Sequence, residues 1–429
     1  MREFSANLPF GGNIKVDNII VGIDIGTTKV CTVIGSFDKN AQLKILGKGF
    51  TLFDGVKKGV IIDIEETARA IRLSVEEAER EAHLSVDSGY VNIYGTHVNV
   101  FNHKESISIS NENQIITQDD IGRLYSAIEK LPIPDGTQII DIIPIQYIVD
   151  GYENILNPVG MSGLIMEIEA VVVTGKITSV QNIIRSVEKA GLEVDGIIAE
   201  AFATSEIAIS SDEKDLGVIL IDVGGGITDI SAFKNGKMII YDSIPVGGEH
   251  VTNDIAIGLK ISYAEADKLK KQYELALTTL IKNDQEITVY DINEEKLKNI
   301  IVSEIIEIIE ARICEILYLA KNVIEKYENI EIFNAGIVLT GGGISYVNGN
   351  KQIAESIFNL PVRIASYKYI EGASKPEYAA AVGMIKHIAK RNKHSKITVN
   401  QTDIQFKNKS KFKSIVKKIT NAVNNWFSL

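Results

Sequence analysis

Runs of β-branched and aliphatic residues, broken by turns of small or hydroxyl-bearing ones, alternate along this chain with stretches of helical period. One such pattern occurs twice: IIVGIDIGTTKVCTVIG at residues 19–35 and GVILIDVGGGITDISAF at 217–233. Placing Asp24 on Asp222 aligns Gly26 with Gly224, Thr27 with Gly225 and Thr28 with Gly226. Each copy predicts a strand, a tight turn and a second strand, with an acid at the end of the first strand. A third apolar run, IVLTGGGISYVNG at 337–349, predicts a strand, a triple glycine and then a helix start. The segments IAEAFATSEIAI (198–209) and PEYAAAVGMIKHIAK (376–390) read as helices with a small-residue face, including Ala379, Ala380, Ala381 and Gly383. Such faces permit close crossing, as at a hinge between lobes. The stretch beginning ISIS at residue 107 alternates as a strand and continues as an amphipathic helix, and residues 297–327 keep a near-continuous 3.6-residue apolar period.

The end of the chain, KFKSIVKKITNAVNNWFSL, has a pattern of its own. Phe412, Ile415, Val416, Ile419, Val423, Trp426 and Phe427 fall on one face of a helix, with Lys417 and Lys418 among the residues beside them. From Ile404 onward there are six lysines and no acid, on a chain whose formal net charge is −11. A basic amphipathic helix behind a polar stretch (390–409) that reads as a flexible tether is expected to lie in the plane of an anionic membrane surface. A helix docked on its own domain, or a calmodulin-type target, are the alternatives.

Composition narrows the classes. A length of 429 residues implies more than one domain. The two cysteines, Cys31 and Cys314, stand in no metal-ligand pattern, and a reducing cytoplasm is expected. No apolar run approaches the length of a spanning helix. Residues 1–18 have no apolar signal core and read as a short lead. The acidic body argues against non-specific nucleic-acid binding.

The duplicated hairpin carries the candidate chemistry. Gly26, Thr27 and Thr28 in one turn, and Gly224, Gly225 and Gly226 in the other, let backbone N–H groups approach a phosphate, so two facing hairpins can clamp a triphosphate. Asp24 and Asp222 repel phosphate directly; their expected role is to hold a hydrated Mg²⁺ against it. Lys29 either reaches a phosphate or is an exposed hairpin lysine. Gly341, Gly342 and Gly343 either admit a nucleoside or form a structural turn. Glu200 is expected either to position an attacking water or to sit as an acid at a helix N-terminus. Neither a GxGxxG nor a Walker loop is present, which argues against Rossmann and P-loop sites.

In this order, DIGTTKV, AEAFATSEIA, LIDVGGGITDIS, VLTGGGISYVNG and PEYAAAVG make residues 16–390 resemble the actin/Hsp70 superfamily of ATP-binding proteins. Within it, GVKKGVIIDIEETARAI, IPIQYIVDGYENILNPVGMSG, VGGEHVTNDIAIGLKISYAEADKLK and IIEARICEI are similar to segments of the FtsA family of bacterial cell-division proteins. That family also ends in a basic amphipathic helix after a variable linker. The resemblance implies an α/β, actin-like (ribonuclease H-like) two-lobe fold, with ATP and Mg²⁺ between the lobes and an inserted subdomain called 1C. It implies that Glu249, Glu265 and Lys268 approach ribose and adenine, as do the three glycines of 341–343. It places Arg312 in the helix facing the C-terminal peptide of the tubulin-like protein FtsZ, although an i,i+3 pair with Glu315, common on solvated helices, is the simpler account of that arginine. Its function is to tether FtsZ filaments to the membrane at the division septum, with slow ATP turnover at most, head-to-tail protofilaments and recruitment of later division proteins through 1C.

The expected organisation is lobe 1 at 16–95 and 175–210, the 1C-like insert at 96–174, and lobe 2 at 211–245 and 332–389. A helix-dominated insertion at 246–331, a linker at 390–409 and the membrane helix at 410–429 complete it. A small-metabolite kinase would need a further base in the cleft, and a chaperone a substrate-binding domain after residue 390. A pilus-assembly relative would share the fold but not the tail.

Overall fold

The computed structural model describes residues 19–38 and 40–396. Two five-stranded sheets form the centres of two lobes, and both are wired identically. In lobe 1, Ile19–Ile25, Lys29–Phe37 and Leu43–Leu52 run antiparallel in sequence. Ser88–Ile93 then joins the free side of the first strand in parallel, and Glu193–Ala199 joins beyond it. Lobe 2 repeats the scheme with Val218–Val223, Thr228–Lys234 and Lys237–Ile244, then Gly336–Thr340 and Val362–Ile364. Tight turns enforce the antiparallel half, whereas each parallel strand needs a crossover. This is the two-lobe actin-like architecture expected from the resemblance.

In lobe 1 the first crossover is a short hairpin, Val56–Lys57 with Val60–Ile61, and one helix, Ile64–Ala82, started by the Asp63 carboxylate accepting from Glu66 N at 2.9 Å and ended by His83 in the left-handed region. It lies directly on Leu43–Leu52: a Cβ at Gly49 would stand 1.8 Å from the Ser74 carbonyl oxygen and one at Gly47 2.1 Å from that of Ala78. The second crossover contains the inserted subdomain. Its antiparallel sheet has the order Val98–Ser108, Ile165–Lys176, Thr137–Val149, Tyr152–Ile155, and helix Gln118–Ile128 covers a separate core that includes Leu124, Ile128, Met166 and Ile168. The chain returns to lobe 1 through helix Ile177–Lys189.

In lobe 2 the first crossover has grown into helices Gly248–Leu259, Tyr263–Tyr273 and Val302–Tyr327 plus a two-stranded hairpin. That hairpin, Glu286–Asp291 with Lys296–Ile301, corrects the reading of 297–301 as helix. The Asp291 carboxylate accepts from the backbone of Asn293 and Glu294 and from Lys298, which closes the turn and puts the following residues in strand register. The helix expected directly after the triple glycine starts later, at Asn350.

The helix Ala379–Lys396, preceded by a single 3₁₀ turn, was expected in lobe 2 but packs in the core of lobe 1. The reason is its small-residue face. A Cβ at Gly383 would lie 2.0 Å from the Ala203 carbonyl oxygen, and one at Gly22 2.5 Å from that of Ala381. Backbone thus meets backbone where it crosses helix Glu200–Ala208, while Val382, Ile385 and Ile388 enter the apolar core. This helix also runs on to Lys396, into the stretch expected as tether. Residues 1–18 and the amphipathic segment 410–429, with Phe412, Ile415, Val416, Lys417, Lys418, Ile419, Val423, Trp426 and Phe427, lie outside the described residues. Among those described, no helix is long and apolar enough to cross a membrane.

Candidate functional site between the lobes

Both repeated hairpins close with the same turn. Gly26 N–H donates to the Lys29 carbonyl at 2.9 Å, and Gly224 N–H to the Ile227 carbonyl at 2.9 Å. Asp24 pairs with Cys31 across the first hairpin, and Asp222 with Asp229 across the second. The turns oppose each other directly: a Cβ at Gly225 would sit 3.1 Å from Thr28 Cγ2, and one at Gly226 2.9 Å from Thr27 Cγ2. Threonine methyls of one turn therefore pack on bare backbone of the other, which brings the turns of the two lobes together.

The two acids sit in different surroundings. Asp24 is buried and accepts from Asn92 Nδ2 at 2.7 Å and from Lys29 Nζ at 3.4 Å. Lys29 also donates to the Glu377 carbonyl and is only 20% exposed, so the exposed-lysine reading is corrected: the ammonium turns inward onto Asp24. Burial pushes the Asp24 carboxyl up, while Lys29 and Asn92 pull it down. Asn92 also accepts from Ile25 N at 2.8 Å and donates to Glu200 at 2.9 Å, tying strand, acid and helix together. Glu200 is the first residue of its helix, and burial together with Asp24, Asp222 and Asp229 raises its carboxyl well above the usual range. Asp222 is pushed up to about 6, first by burial and then by Asp24. Asp229 is pushed up to about 7 by burial and Asp222, although it accepts from Tyr241 Oη at 3.2 Å and Gly95 N at 3.3 Å.

Two glycine segments gather around the second turn. Gly248 N donates to the Gly224 carbonyl at 2.9 Å and Glu249 N to that of Gly225 at 2.8 Å, so helix Gly248–Leu259 starts on the turn itself. Gly343 N donates to the Val223 carbonyl at 2.8 Å. Gly341 has φ +95°, and a Cβ there would lie 2.3 Å from the Val223 carbonyl oxygen and 2.4 Å from Asp222 Oδ1. Gly342 has open space around it. Glu249 is half-buried, its carboxyl raised by burial and by Asp54. Glu265 lies in the first turn of helix Tyr263–Tyr273, whose start is capped by Ser262. Lys268 is exposed on that helix, and it is Lys270 that reaches the Gly248 carbonyl at 3.0 Å and Thr252 Oγ1 at 2.5 Å.

Arg312, on helix Val302–Tyr327, makes the expected pair with Glu315 at 2.6 Å but is also held by both carboxylate oxygens of Asp254, on the neighbouring helix. Arg312 lies apart from the hairpin acids. Sequence reasoning missed Asn92, Asp229 and Asp254. Asn92 is the polar residue near the end of an otherwise largely buried strand, and the hairpin register alone places Asp229 opposite Asp222.

The donor set fits a hydrated divalent cation. Four acids gather around Lys29 and Asn92, and their mutual repulsion is what a bound cation relieves. Among the described residues no three His, Cys, Asp or Glu side chains converge to cage a metal.

Comparison with known proteins bears on the family and the fold. The family model described as cell division protein FtsA matches residues 219–383, and that of the SHS2 domain inserted in FTSA matches 95–174. A model for the type IV pilus assembly protein PilM matches 157–280. The chain is 36% identical over 372 residues to the cell division protein FtsA of Bacillus subtilis, covering 86% of this chain and 83% of the relative. For the FtsA of Borreliella burgdorferi the values are 32% over 415 residues, 96% and 98%. Among solved structures, the PilM–PilN type IV pilus biogenesis complex aligns with a TM-score of 0.55 at 14% identity, over 87% of this chain and 98% of that one. MreB5 of Spiroplasma citri bound to ADP aligns at 0.53 and 16% identity, over 89% and 99%. These structural likenesses bear on the fold, and the sequence relatives on the family, which brings with it the capacity to bind a nucleotide. The chain is a member of the FtsA family of cell-division proteins.

Proposed function

We propose that this chain is an ATP-binding adaptor that holds FtsZ filaments to the cytoplasmic face of the membrane at the division septum. The observation that carries the nucleotide part is the pair of opposed hairpins with Asp24 and Asp222 in matching positions. Thr27, Thr28 and the turn amides of Gly26, Gly224, Gly225 and Gly226 cradle the phosphates. Gly341, Gly342 and Gly343 with Glu249, Glu265 and Lys268 flank the nucleoside. Asp24 and Asp222 would hold Mg²⁺, and the ion would supply charge neutralisation for the phosphates. Lys29 acts on Asp24 as a counter-charge rather than as a free phosphate ligand, as its inward contacts support.

Turnover is slow in this reading. Glu200 is positioned by Asn92 to orient a water, but burial and then the surrounding acids favour its protonated form, which is a poor proton acceptor. The insertion at 246–331 receives the C-terminal peptide of FtsZ. There a peptide carboxylate competes for Arg312 with Asp254 and Glu315. The tail at 410–429 anchors the chain to anionic lipid, the 1C-like subdomain meets later division proteins, and copies associate head to tail.

Flotation on anionic liposomes tests the proposal, comparing the full chain with one truncated after Asp403, each with the FtsZ tail peptide. The full chain is expected to float and carry the peptide with it, and the truncated chain to stay at the bottom. If both chains stay at the bottom, the tether reading falls and a pilus-type role takes its place.

A further inference from the structure

The second hairpin does more than face the first. Its turn residue Ile227 occupies the position that Lys29 holds in the first, since each carbonyl receives the glycine N–H that closes the turn. Lys29 folds back onto its own lobe; Ile227 crosses to the other. A Cβ built on Gly59 would lie 2.6 Å from Ile227 Cδ1, and one on Gly95 2.8 Å from the same atom. Both glycines are in the left-handed region, at φ +73° and +88°, so no side chain intervenes between Ile227 and the lobe-1 backbone. Two residues further on, Asp229 accepts from Gly95 N at 3.3 Å, which fastens the same point a second time.

That point is the root of the inserted subdomain. Gly95 stands directly before it, and His97 follows with its ring carbon 3.4 Å from the Cβ position of either glycine. The His97 carbonyl accepts from Lys176 N at 2.9 Å, so the strand leaving the subdomain is bonded to the segment entering it. Beyond the root, Lys237, on the next strand of the same lobe-2 sheet, grips Glu169 of the subdomain at 2.8 Å through both carboxylate oxygens.

We infer that Ile227 and Asp229 are positioning residues that carry the closure of the lobes around a nucleotide into the root of the inserted subdomain. This rests on the nucleotide reading above. Ligand in the turn at Gly224–Gly226 restrains the residues immediately before Ile227 and Asp229, and the glycine contacts hand that restraint to Gly95, His97 and Lys176. The subdomain is thereby coupled to nucleotide state without touching the nucleotide.

Hydrogen exchange on the full chain tests it, read in peptides covering 93–100 and 174–178 and, as a site reporter, 340–346. Each is measured with and without Mg²⁺ plus ADP or a non-hydrolysable ATP analogue at saturation. In the wild-type chain nucleotide is expected to slow exchange at the root about tenfold, and in Ile227→Ala less than about twofold, while 340–346 still slows in both. Ile227→Val should restore most of the root response. Asp229→Ala, which removes the acceptor of the Gly95 N–H, gives a second route, with a partial loss of the root response, should the Ile227 variant fail to fold. Root slowing that survives both substitutions overturns the inference, as does a wild-type root that ignores nucleotide while 340–346 responds. A wild-type chain in which neither region responds removes the nucleotide reading itself, and the inference with it.

Discussion

The two hairpins share register, turn and strand order, yet their acids live differently. Asp24 has a cation and an amide within its own lobe, Lys29 and Asn92. Asp222 has neither: the position of Lys29 is taken by Ile227, and the position of Cys31 by a further acid, Asp229. Thr340, the strand partner of Asp222, is bonded to Tyr367 Oη at 2.5 Å rather than to the carboxylate. Duplication of a backbone therefore did not duplicate an electrostatic environment. Asp24 is offset in part from within its own lobe, whereas Asp222 and Asp229 stand as like charges beside the lobe-1 acid Glu200, a repulsion that a bound cation would relieve.

The comparison breaks most severely at the backbone of lobe 2. Gly341→Val puts a branched Cβ at φ +95° and within 2.4 Å of the Val223 carbonyl and Asp222 Oδ1. Strain and overpacking together should cost about 4 kcal/mol and abolish nucleotide binding. Chemical denaturation and a fluorescent-nucleotide titration read the two losses.

Lys29→Ile, which writes the lobe-2 residue type into lobe 1, comes next. It leaves Asp24 buried without its cation, and breaking such a pair costs about 3 kcal/mol. Adding Asp24→Asn should return much of that stability but not metal-dependent nucleotide binding. A double substitution no more stable than Lys29→Ile alone would show that the lysine acts mainly through the Glu377 carbonyl.

How much of this was legible beforehand follows from the range of each signal. Turn glycines, hydroxyls and a matched pair of acids are local, so both hairpins could be read from a few residues each. Lys29 could not, because its orientation depends on Glu377, which lies near the other end of the chain. The helix Ala379–Lys396 was legible as a helix with a small face, but a small face does not name the partner it will cross. Its assignment to lobe 2 failed on that. At 297–301 the apolar spacing fits both periods, and the Asp291 turn decided for strand. In the 1C-like segment the strand and the helix were each legible from their own period, on either side of the connection at 109–117.

Acidity sharpens the comparison more gently. Asp229 is ordinarily a group of pKa 3.8 and is pushed up to about 7 in the fold. Between those values the folded protein holds a proton that the unfolded chain has released. Its contribution to stability is therefore undiminished below pH 4 and is lost as pH rises through 7. In the absence of nucleotide the chain should lose about 2 kcal/mol from this group between pH 5 and 7.5, and Asp229→Asn should flatten the slope by that amount. Thermal midpoints of both chains across this range, with Lys29→Ile alongside, test whether the excess acidity belongs to lobe 2.

The smallest effect concerns the first crossovers, a short hairpin with one helix in lobe 1 and the long insertion in lobe 2. Arg312 joins two helices of that insertion and is 24% exposed, so its ion pairs are partly screened. Arg312→Ala should lower stability by only about 1 kcal/mol. Its effect on the FtsZ tail peptide separates the readings. If the guanidinium serves the peptide, Arg312→Ala weakens binding about tenfold, and Asp254→Ala, which releases the arginine from its competitor, strengthens it. If the arginine only braces the insertion, both substitutions weaken binding slightly and to the same degree, because each merely loosens the two helices. Titration of the peptide against the three chains decides between a surface that lobe 2 gained for a partner and one gained for its own packing.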